Sequence, residues 1–527
     1  MAVALAVAQD AHTHSAPTVS PSVLDLAKQP VVLRTGIGTA HDAVGTASKD
    51  AQAFYDQGLA YLHSYVWLEA ARSFNQALRV DSHLAVAHAA LSVVYTELNA
   101  PGEAAASLAR ATAAMANASA HDRAHIEARA MQMAAETSRL TSRGASPDAP
   151  LAAYRAVLDR ALAAYPADEE FWLARGQAES PDPAERGQGS VAGSERFYQK
   201  ALALAPTHFV AHHYLTHAYE NTGRIAEALK ESAAYAKMAP RVPHARHMRG
   251  HDLRRVGRID EAIAEFTAAD ALEHEYVASE HVPVEHDWHY QHNLDLLGTS
   301  YQYVGQMAKA EALLKASFAI PSLLVAQEFN KREWPAFLLA RGRATEALAA
   351  ANALAAHRSP VVSATGHVAA GHARLAMGDY KAASEEANVA LRLMRGAEGG
   401  GLVETPLQTL QGEFFLRTGQ KDKARPVLEE VVRKLRAAPG PDAWTQALFT
   451  LEAIARAARD AGDWDMAAWT ARQMVEHDTN YAGSHYALGL VAQHNGDTQA
   501  MRAEFALTRQ YWKNADPDLT ELRVVTK

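Results

Sequence analysis

The stretch AHHYLTHAYENTGR at residues 211–224 is followed 34 residues later, in the same register, by ARHMRGHDLRRVGR at 245–258. Each stretch carries two histidines four residues apart and then, six residues after the second histidine, a glycine, Gly223 or Gly257. Self-similarity at a fixed period of about 20 to 50 residues is typical of stacked repeats. A glycine that follows a helical segment commonly marks the helix end. The period therefore predicts an array of helical hairpins.

The same frame can be placed on other parts of the chain. The segment AQAFYDQGLAYLHSYVWLEAARSFNQAL at 51–78 has Gly58, Tyr61, Ala70, Phe74 and Ala77 at the positions where a tetratricopeptide repeat (TPR) has these residue types, so the chain resembles that family. Segments near 378, 412 and 489 fit the frame as well. The resemblance implies an all-α, right-handed α-solenoid of about 10–12 helical hairpins, in which the first helix of each hairpin lines a concave groove.

A wider resemblance covers almost the whole chain. The phrases GIGTAHDAVGTASKD, HDRAHIEAR and HARHMRGHDLRRVGRIDEA follow one another in an order similar to that of a broad group of bacterial TPR proteins. Members of that group are often exported and mostly lack an assigned activity. The resemblance therefore implies a fold much more than a function.

Composition favours the array over a single core. The chain has 527 residues, of which 48% are hydrophobic and only 7% aromatic, and alanine dominates, which is typical of nearly all-helical proteins. The net charge is −9 and the basic residues are scattered, so nothing indicates binding to nucleic acid. No run of 18 apolar residues occurs, which predicts no membrane span. Because cysteine is absent, His, Asp and Glu are the available metal ligands.

The pattern divides the chain into three parts. Residues 1–49 are predicted to be a lead-in whose first residues resemble a signal-peptide remnant, 50–393 a solenoid, and 404–527 C-terminal TPR-like repeats, with a linker at 394–403. Insertions are predicted at 178–193 and at 274–288, the second as a long connection that could cover the groove. The compartment, exported to the periplasm or cytoplasmic, is left open, as is the oligomeric state.

Histidine carries the strongest chemical signal. Of 26 histidines, 12 lie between 208 and 292. When the TPR frame is placed on the chain, six of these histidines fall at helix positions that face the groove in that family. These six are the candidate metal ligands: His213, His217, His244, His247, His251 and His292. Residues four apart share one face of a helix, so neighbouring hairpins should bring their imidazoles together. His63 and His372 are isolated along the array and are predicted to be ordinary groove residues.

Gathered imidazoles suit a divalent transition metal such as Zn, Cu or Fe. A nearby carboxylate can complete the site or orient a ligand ring. Five residues are the candidates for supporting the ligands in this way or for lining the groove beside them: Glu220, Asp295, His289, Arg254 and Tyr303.

Two functions remain open on this pattern. The first is a transition-metal site in the groove, with which the chain could act as a metal-dependent enzyme on a small molecule or a peptide; whether it is an enzyme is left open. The second is a non-catalytic scaffold that binds an extended peptide or protein partner with uncoordinated histidines. No phosphate-binding loop, nucleophile elbow or His-Glu-x-x-His helix occurs, so the known hydrolase and nucleotide-binding classes gain no support.

Overall fold

The computed structural model of the protein describes residues 22–141, 148–180, 188–322, 324–397, 399–438 and 441–526. The signal-like residues at the start of the chain lie outside these ranges, as do parts of the 178–193 insertion and of the 394–403 linker. All regular secondary structure within the described ranges is helical.

The first fifteen helices form the lead-in and the first seven hairpins. They are α1 (Val23–Ala27), α2 (Lys49–His63), α3 (Trp67–Val80), α4 (Ala85–Glu97), α5 (Pro101–Ala114), α6 (Ala120–Thr141), α7 (Asp148–Ala164), α8 (Glu169–Gln177), α9 (Glu195–Leu204), α10 (Phe209–Asn221), α11 (Ile225–Met238), α12 (Pro243–Arg255), α13 (Ile259–Glu280), α14 (Trp288–Tyr303) and α15 (Met307–Ala319).

The remaining helices form five further hairpins and two short flanking elements. They are α16 (Val325–Asn330), α17 (Glu333–Ala340), α18 (Ala344–Ala355), α19 (Pro360–Ala376), α20 (Tyr380–Met394), α21 (Glu404–Arg417), α22 (Lys421–Ala437), α23 (Pro441–Asp460), α24 (Trp464–His477), α25 (Ala482–His494), α26 (Thr498–Tyr511) and α27 (Thr520–Val525). In the described parts of the chain the helices thus pair into twelve hairpins, which confirms the predicted α-solenoid.

Small residues let the two helices of a hairpin approach closely. A Cβ atom built on Gly58 would lie 2.4 Å from the ring of Phe74, and one on Gly250 would lie 2.6 Å from the ring of Phe266. Each glycine therefore makes room for an aromatic ring on the second helix, sixteen residues further on. This contact explains why the repeat keeps a glycine in its first helix and a large apolar residue in its second.

The hairpin turns depend on a left-handed residue. Gly223 and Gly257 have φ values of 76° and 79°, which cost a glycine little. The amide of the next residue closes the turn by donating to a carbonyl five residues back, as Arg224 does to Tyr219 and Arg258 to Leu253, both at 2.8 Å. The first two hairpins have other residues at the left-handed position, Tyr65 with a φ of 61° and Asn99 with a φ of 55°.

Both ends of the array fold back on its middle. The lead-in crosses to α12, where the Arg241 amide donates to the Gly36 carbonyl at 2.9 Å. From the other end, the Tyr303 hydroxyl donates to Asp478 Oδ2 at 2.8 Å, and the Trp512 indole donates to the Tyr303 carbonyl at 3.0 Å. The lead-in and the C-terminal repeats therefore both contact the central hairpins.

The prediction of a long connection at 274–288 is wrong for the first half of that range. Helix α13 continues to Glu280, and only 281–287 connect it to α14. The extra turns are held by the first hairpin, because Arg72 bridges Glu69 at 2.6 Å and Glu280 at 2.9 Å. None of the described helices is both long and apolar enough to cross a bilayer. The proposed boundaries of the three chain segments stay predictions.

Candidate metal centre

The candidate ligands come from the first helices of three successive hairpins. His213 and His217 lie on α10, His244, His247 and His251 lie on α12, and His289 and His292 lie on α14. Because the hairpins stack side by side, these helix faces meet. The structure groups the candidate ligand atoms into two separate sets, each with its atoms within 4.8 Å of one another. We call these the first triad, His213, His217 and His244, and the second triad, His247, His251 and His292.

The first triad is centred on one nitrogen. His213 Nε2 lies 3.1 Å from His217 Nε2 and 3.0 Å from His244 Nε2. Its other nitrogen, Nδ1, lies 2.7 Å from the His63 carbonyl and must donate to it, because a carbonyl oxygen only accepts. In the neutral ring the Nε2 atom therefore carries a single lone pair directed at its two neighbours.

The second triad has a comparable arrangement. The ring of His247 lies 4.4 Å from that of His251 and 4.8 Å from that of His292, measured between centroids. Its Nδ1 lies 3.0 Å from Asn293 Oδ1, and the Asn293 amide nitrogen donates to the Phe266 carbonyl at 2.9 Å. Asn293 thus accepts from His247 Nδ1, and the buried Nε2 of His247 has no hydrogen-bond partner among the described residues.

Two further side chains connect the triads. Glu220, whose side chain is fully buried, lies 3.4 Å from His217 Nδ1 and 3.6 Å from His251 Nδ1, so one carboxylate touches both sets. The His289 ring lies between them, 5.0 Å from His244 and 4.5 Å from His247. Its Nδ1 contacts Glu273. Carboxylates that contact the second nitrogen of an imidazole in this way orient metal ligands in many proteins.

The other groove candidates make hydrogen bonds with residues outside the triads. Asp295 accepts from Ser317 Oγ at 2.6 Å and shares a cavity of about 20 Å³ with His292. Arg254 contacts Thr299 Oγ1 at 3.3 Å. Tyr303, expected in the groove, instead makes its hydrogen bond with Asp478 of the C-terminal repeats.

Burial keeps these imidazoles uncharged. It lowers the pKa values of His213, His244, His247 and His251 well below 6.5, with a further lowering from neighbouring charged groups, and it lowers that of His289 to about 4. Neutral imidazole is the form that binds a metal ion. The histidines predicted to face a shared space are thus gathered there, and most of the rings are buried.

Aromatic residues cover the first triad. The Tyr65 ring lies 4.8 Å from the rings of both His213 and His244. Trp67 stacks on Trp288 at 5.2 Å, and the Trp288 indole donates to the Tyr65 carbonyl at 2.9 Å. The first hairpin can form this cover because a tyrosine occupies the left-handed position of its turn.

One cavity reaches the histidines from outside. Its volume is about 170 Å³, and Arg34 and Ile37 of the lead-in line it together with Tyr65, His244 and His289. A molecule of a few heavy atoms fits such a space.

Sequence reasoning missed two groups. His63, expected to be isolated, supplies the carbonyl that fixes His213, and its Nε2 lies 2.9 Å from Glu170 Oε2. The second group is an outer quartet, formed by Asp42, His121, His125 and Asp168, whose ligand atoms lie within 4.8 Å of one another. The signal was present, because His121 and His125 in HDRAH show the same four-residue spacing as the two pairs that were recognised.

The fold defines the protein as an α-solenoid of helical hairpins. Residues 197–230, which run from α9 through α10 into α11, match the tetratricopeptide repeat family, in agreement with the repeat that the sequence predicts. No curated protein sequence matches the chain. The bacterial origin implied by the wider resemblance stays a prediction.

Several solved structures are similar in arrangement. The APC/C hetero-tetramer Cut9-Hcn1 has 13% identity and a TM-score of 0.32, with 91% of this chain and 97% of that chain covered. A monomeric IFIT1 mutant with Gppp-AAAA has 12% identity and a TM-score of 0.43, with 93% and 99% covered. Yeast Tom70 has 11% identity and a TM-score of 0.29, with 91% and 88% covered. Such low values carry no information about what this chain binds.

Proposed function

We propose that this TPR solenoid binds two divalent transition-metal ions at its centre, one in each histidine triad. The observation that carries the proposal is the position of His213 Nε2, which has two other Nε2 atoms at 3.0 and 3.1 Å. A ring nitrogen has either one hydrogen or one lone pair, so it can form a hydrogen bond with only one of them. A shared cation satisfies all three.

The separations also suit a metal. In a tetrahedral site with bonds of about 2.0 to 2.1 Å, ligand atoms are about 3.3 Å apart. The fixed tautomers of His213 and His247, each donating its Nδ1 hydrogen to an oxygen, are the arrangement that directs Nε2 at an ion. Zinc, copper and iron are the ions that imidazole suits best.

Three protein ligands leave one coordination position open, as in catalytic zinc sites. An ion so bound supplies an acidified water or a site for a small ligand. The cavity beside His244 and His289 gives a small molecule access to the first triad. We therefore propose a metal-dependent activity on a small molecule as the function that the site supports best.

The experiment is metal analysis of tag-free protein after reloading with Zn²⁺ and desalting. His213→Ala and His247→Ala should each remove one equivalent, and the double variant two. His485→Ala is the matched control, because His485 is also buried and hydrogen-bonded, 2.7 Å from Glu504, but belongs to neither triad. It should keep the full complement. Equal metal content in wild type and the double variant would refute the proposal.

A second function is supported by a different region. A cavity of about 480 Å³ lies among α17, α19, α21 and α23, and Phe329, Phe449, Glu413 and Arg417 line it. Apolar walls with a few charged groups are typical of peptide grooves. A scaffold that binds a peptide or protein partner here would keep binding it in the presence of chelator, whereas an activity at the triads would be lost.

A further inference from the structure

We propose that Asp42, His121, His125 and Asp168 form a third metal site, which binds one divalent cation of the Zn²⁺ type and fastens the lead-in to the solenoid. This outer quartet shares no residue with the two triads. The proposal therefore stands apart from the central sites.

The four side chains converge from three separate parts of the chain. Asp42 belongs to the lead-in, His121 and His125 to the first turns of α6, and Asp168 precedes α8. Asp168 Oδ2 lies 2.8 Å from His121 Nε2 and 3.0 Å from His125 Nε2. Asp42 approaches the same two nitrogens at 3.7 and 3.5 Å. These four distances lie on either side of the roughly 3.3 Å expected between ligands of a tetrahedral zinc ion.

Hydrogen bonds join Asp168 to both rings but leave the Asp42 carboxylate, at 3.7 and 3.5 Å, without a hydrogen bond to either ring. Each Nε2 atom has at most one hydrogen, which can serve Asp168 or Asp42 but not both. A central cation contacts both carboxylates and both rings at once. The two positive charges of the cation also balance the two carboxylates, and both of these are buried. Asp42 is 6% exposed, and the side chain of Asp168 is 7% exposed.

The surroundings orient the ligands independently of any ion. The other oxygen of Asp168 accepts from the Phe171 amide at 3.0 Å and so caps α8. The His125 ring stacks on Phe171 with centroids 3.9 Å apart. On the lead-in, the Asp42 carbonyl accepts from Gln52 at 2.7 Å. Such fixed ligands are the usual frame of a metal site.

The position of the site suggests its role. Four protein ligands are typical of structural zinc sites, in contrast to the three ligands of each triad. Asp42 lies in the same lead-in as Arg34 and Ile37, which form a wall of the cavity that reaches His244. Fastening Asp42 to α6 and α8 would hold that wall in place.

The test uses the full chain with His213→Ala and His247→Ala, so that the central sites are removed. Zn²⁺ is titrated in competition with a chromophoric chelator. One equivalent should bind, and adding Asp42→Asn or His121→Gln should abolish it. His41→Ala is the matched control, since His41 neighbours Asp42 in the lead-in but pairs with Asp56 instead. It should retain the equivalent.

A second measurement reports on the lead-in directly. Zn²⁺ should slow tryptic cleavage after Arg34 in the double histidine variant and should have no such effect when Asp42→Asn is added. Absence of a bound equivalent in a chain with native circular dichroism, or binding that survives Asp42→Asn and His121→Gln, would overturn the proposal. Loss of the triad metal alone would leave this result unchanged, so failures of the two proposals are distinguishable.

Discussion

The triads and the outer quartet are built on the same element, a pair of histidines four residues apart on a helix, yet their charges differ. At the triads, burial lowers the histidine pKa values below 6.5. At the quartet, hydrogen bonds to Asp122 and Asp168 raise the pKa of His121 to about 10, and the carboxylates of Asp42 and Asp168 outweigh burial and raise the pKa of His125. The difference teaches that the charge of such a pair depends on the groups that face it, which the spacing alone does not reveal.

The largest effect that would test this contrast concerns His289 in metal-free protein. Its folded pKa of about 4 lies below the ordinary value of 6.5, so the unfolded chain takes up the proton first as the pH falls. His289 therefore contributes stability above pH 6.5 that is lost between pH 6.5 and 4, about 3 kcal/mol in all. Between pH 6.5 and 4, the free energy of unfolding of His289→Gln should therefore decrease less than that of wild type, by the same amount. Urea unfolding at each pH measures the difference.

Between pH 6.5 and 8 the wild type and His289→Gln should show the same pH dependence, which serves as the internal control. Parallel loss of stability in both proteins down to pH 4 would contradict an uncharged, buried His289.

The next effect has the opposite sign and concerns Asp42. Burial raises the pKa of its carboxyl from 3.8 to about 6, so the folded chain is destabilised as the pH rises through that range. In metal-free protein, Asp42→Asn should therefore raise the free energy of unfolding at pH 7 by about 2 to 3 kcal/mol. Below pH 4 the gain should vanish. If Asp42→Asn is less stable than wild type at pH 7 in the presence of chelator, the Asp42 carboxylate does not destabilise the metal-free fold and the prediction is wrong.

A smaller effect is expected for Asp168. Burial raises its pKa, but the hydrogen bonds from His121 and His125 outweigh burial and lower it from 3.8 to about 2. Asp168 thus contributes stability above pH 3.8 that is lost as the pH falls towards 2, about 2 kcal/mol. We expect Asp168→Asn to cost that much at pH 7 in metal-free protein.

Asp463→Asn is the matched comparison for Asp168→Asn. Asp463 is also a buried helix cap, accepting from the Met466 amide at 3.1 Å, and asparagine caps helices as well as aspartate does. A similar cost in both variants would mean that the histidines of the quartet contribute nothing beyond the cap.

The fold was predictable because its rules are local. The period of 34 residues, the turn glycines and the pairing of Gly58 with Phe74 all follow from neighbours in the sequence. The grouping of the six histidines was predictable for the same reason, since equivalent positions in successive repeats share a face. Their division into two triads was not, because it depends on the direction in which each ring nitrogen points, which the repeat spacing does not fix.

Long-range contacts account for the rest. Asp42 and Asp168 both lie far from His121 in the sequence. Asp42 meets it because the lead-in packs on the solenoid, and Asp168 meets it because it precedes the first helix of the next hairpin. Likewise, the return of the C-terminal repeats to Tyr303 places that residue against Asp478. No periodic pattern encodes either meeting.

The burial of the first triad has a kinetic consequence. An ion bound there would lie beneath Tyr65, and the cavity beside His244 would connect it to solvent. Dissociation of the ion would then require local opening of the stacked hairpins. Its rate would depend on that opening rather than on the strength of the metal–ligand bonds. The bound ion would therefore dissociate slowly even where its affinity for the site is modest.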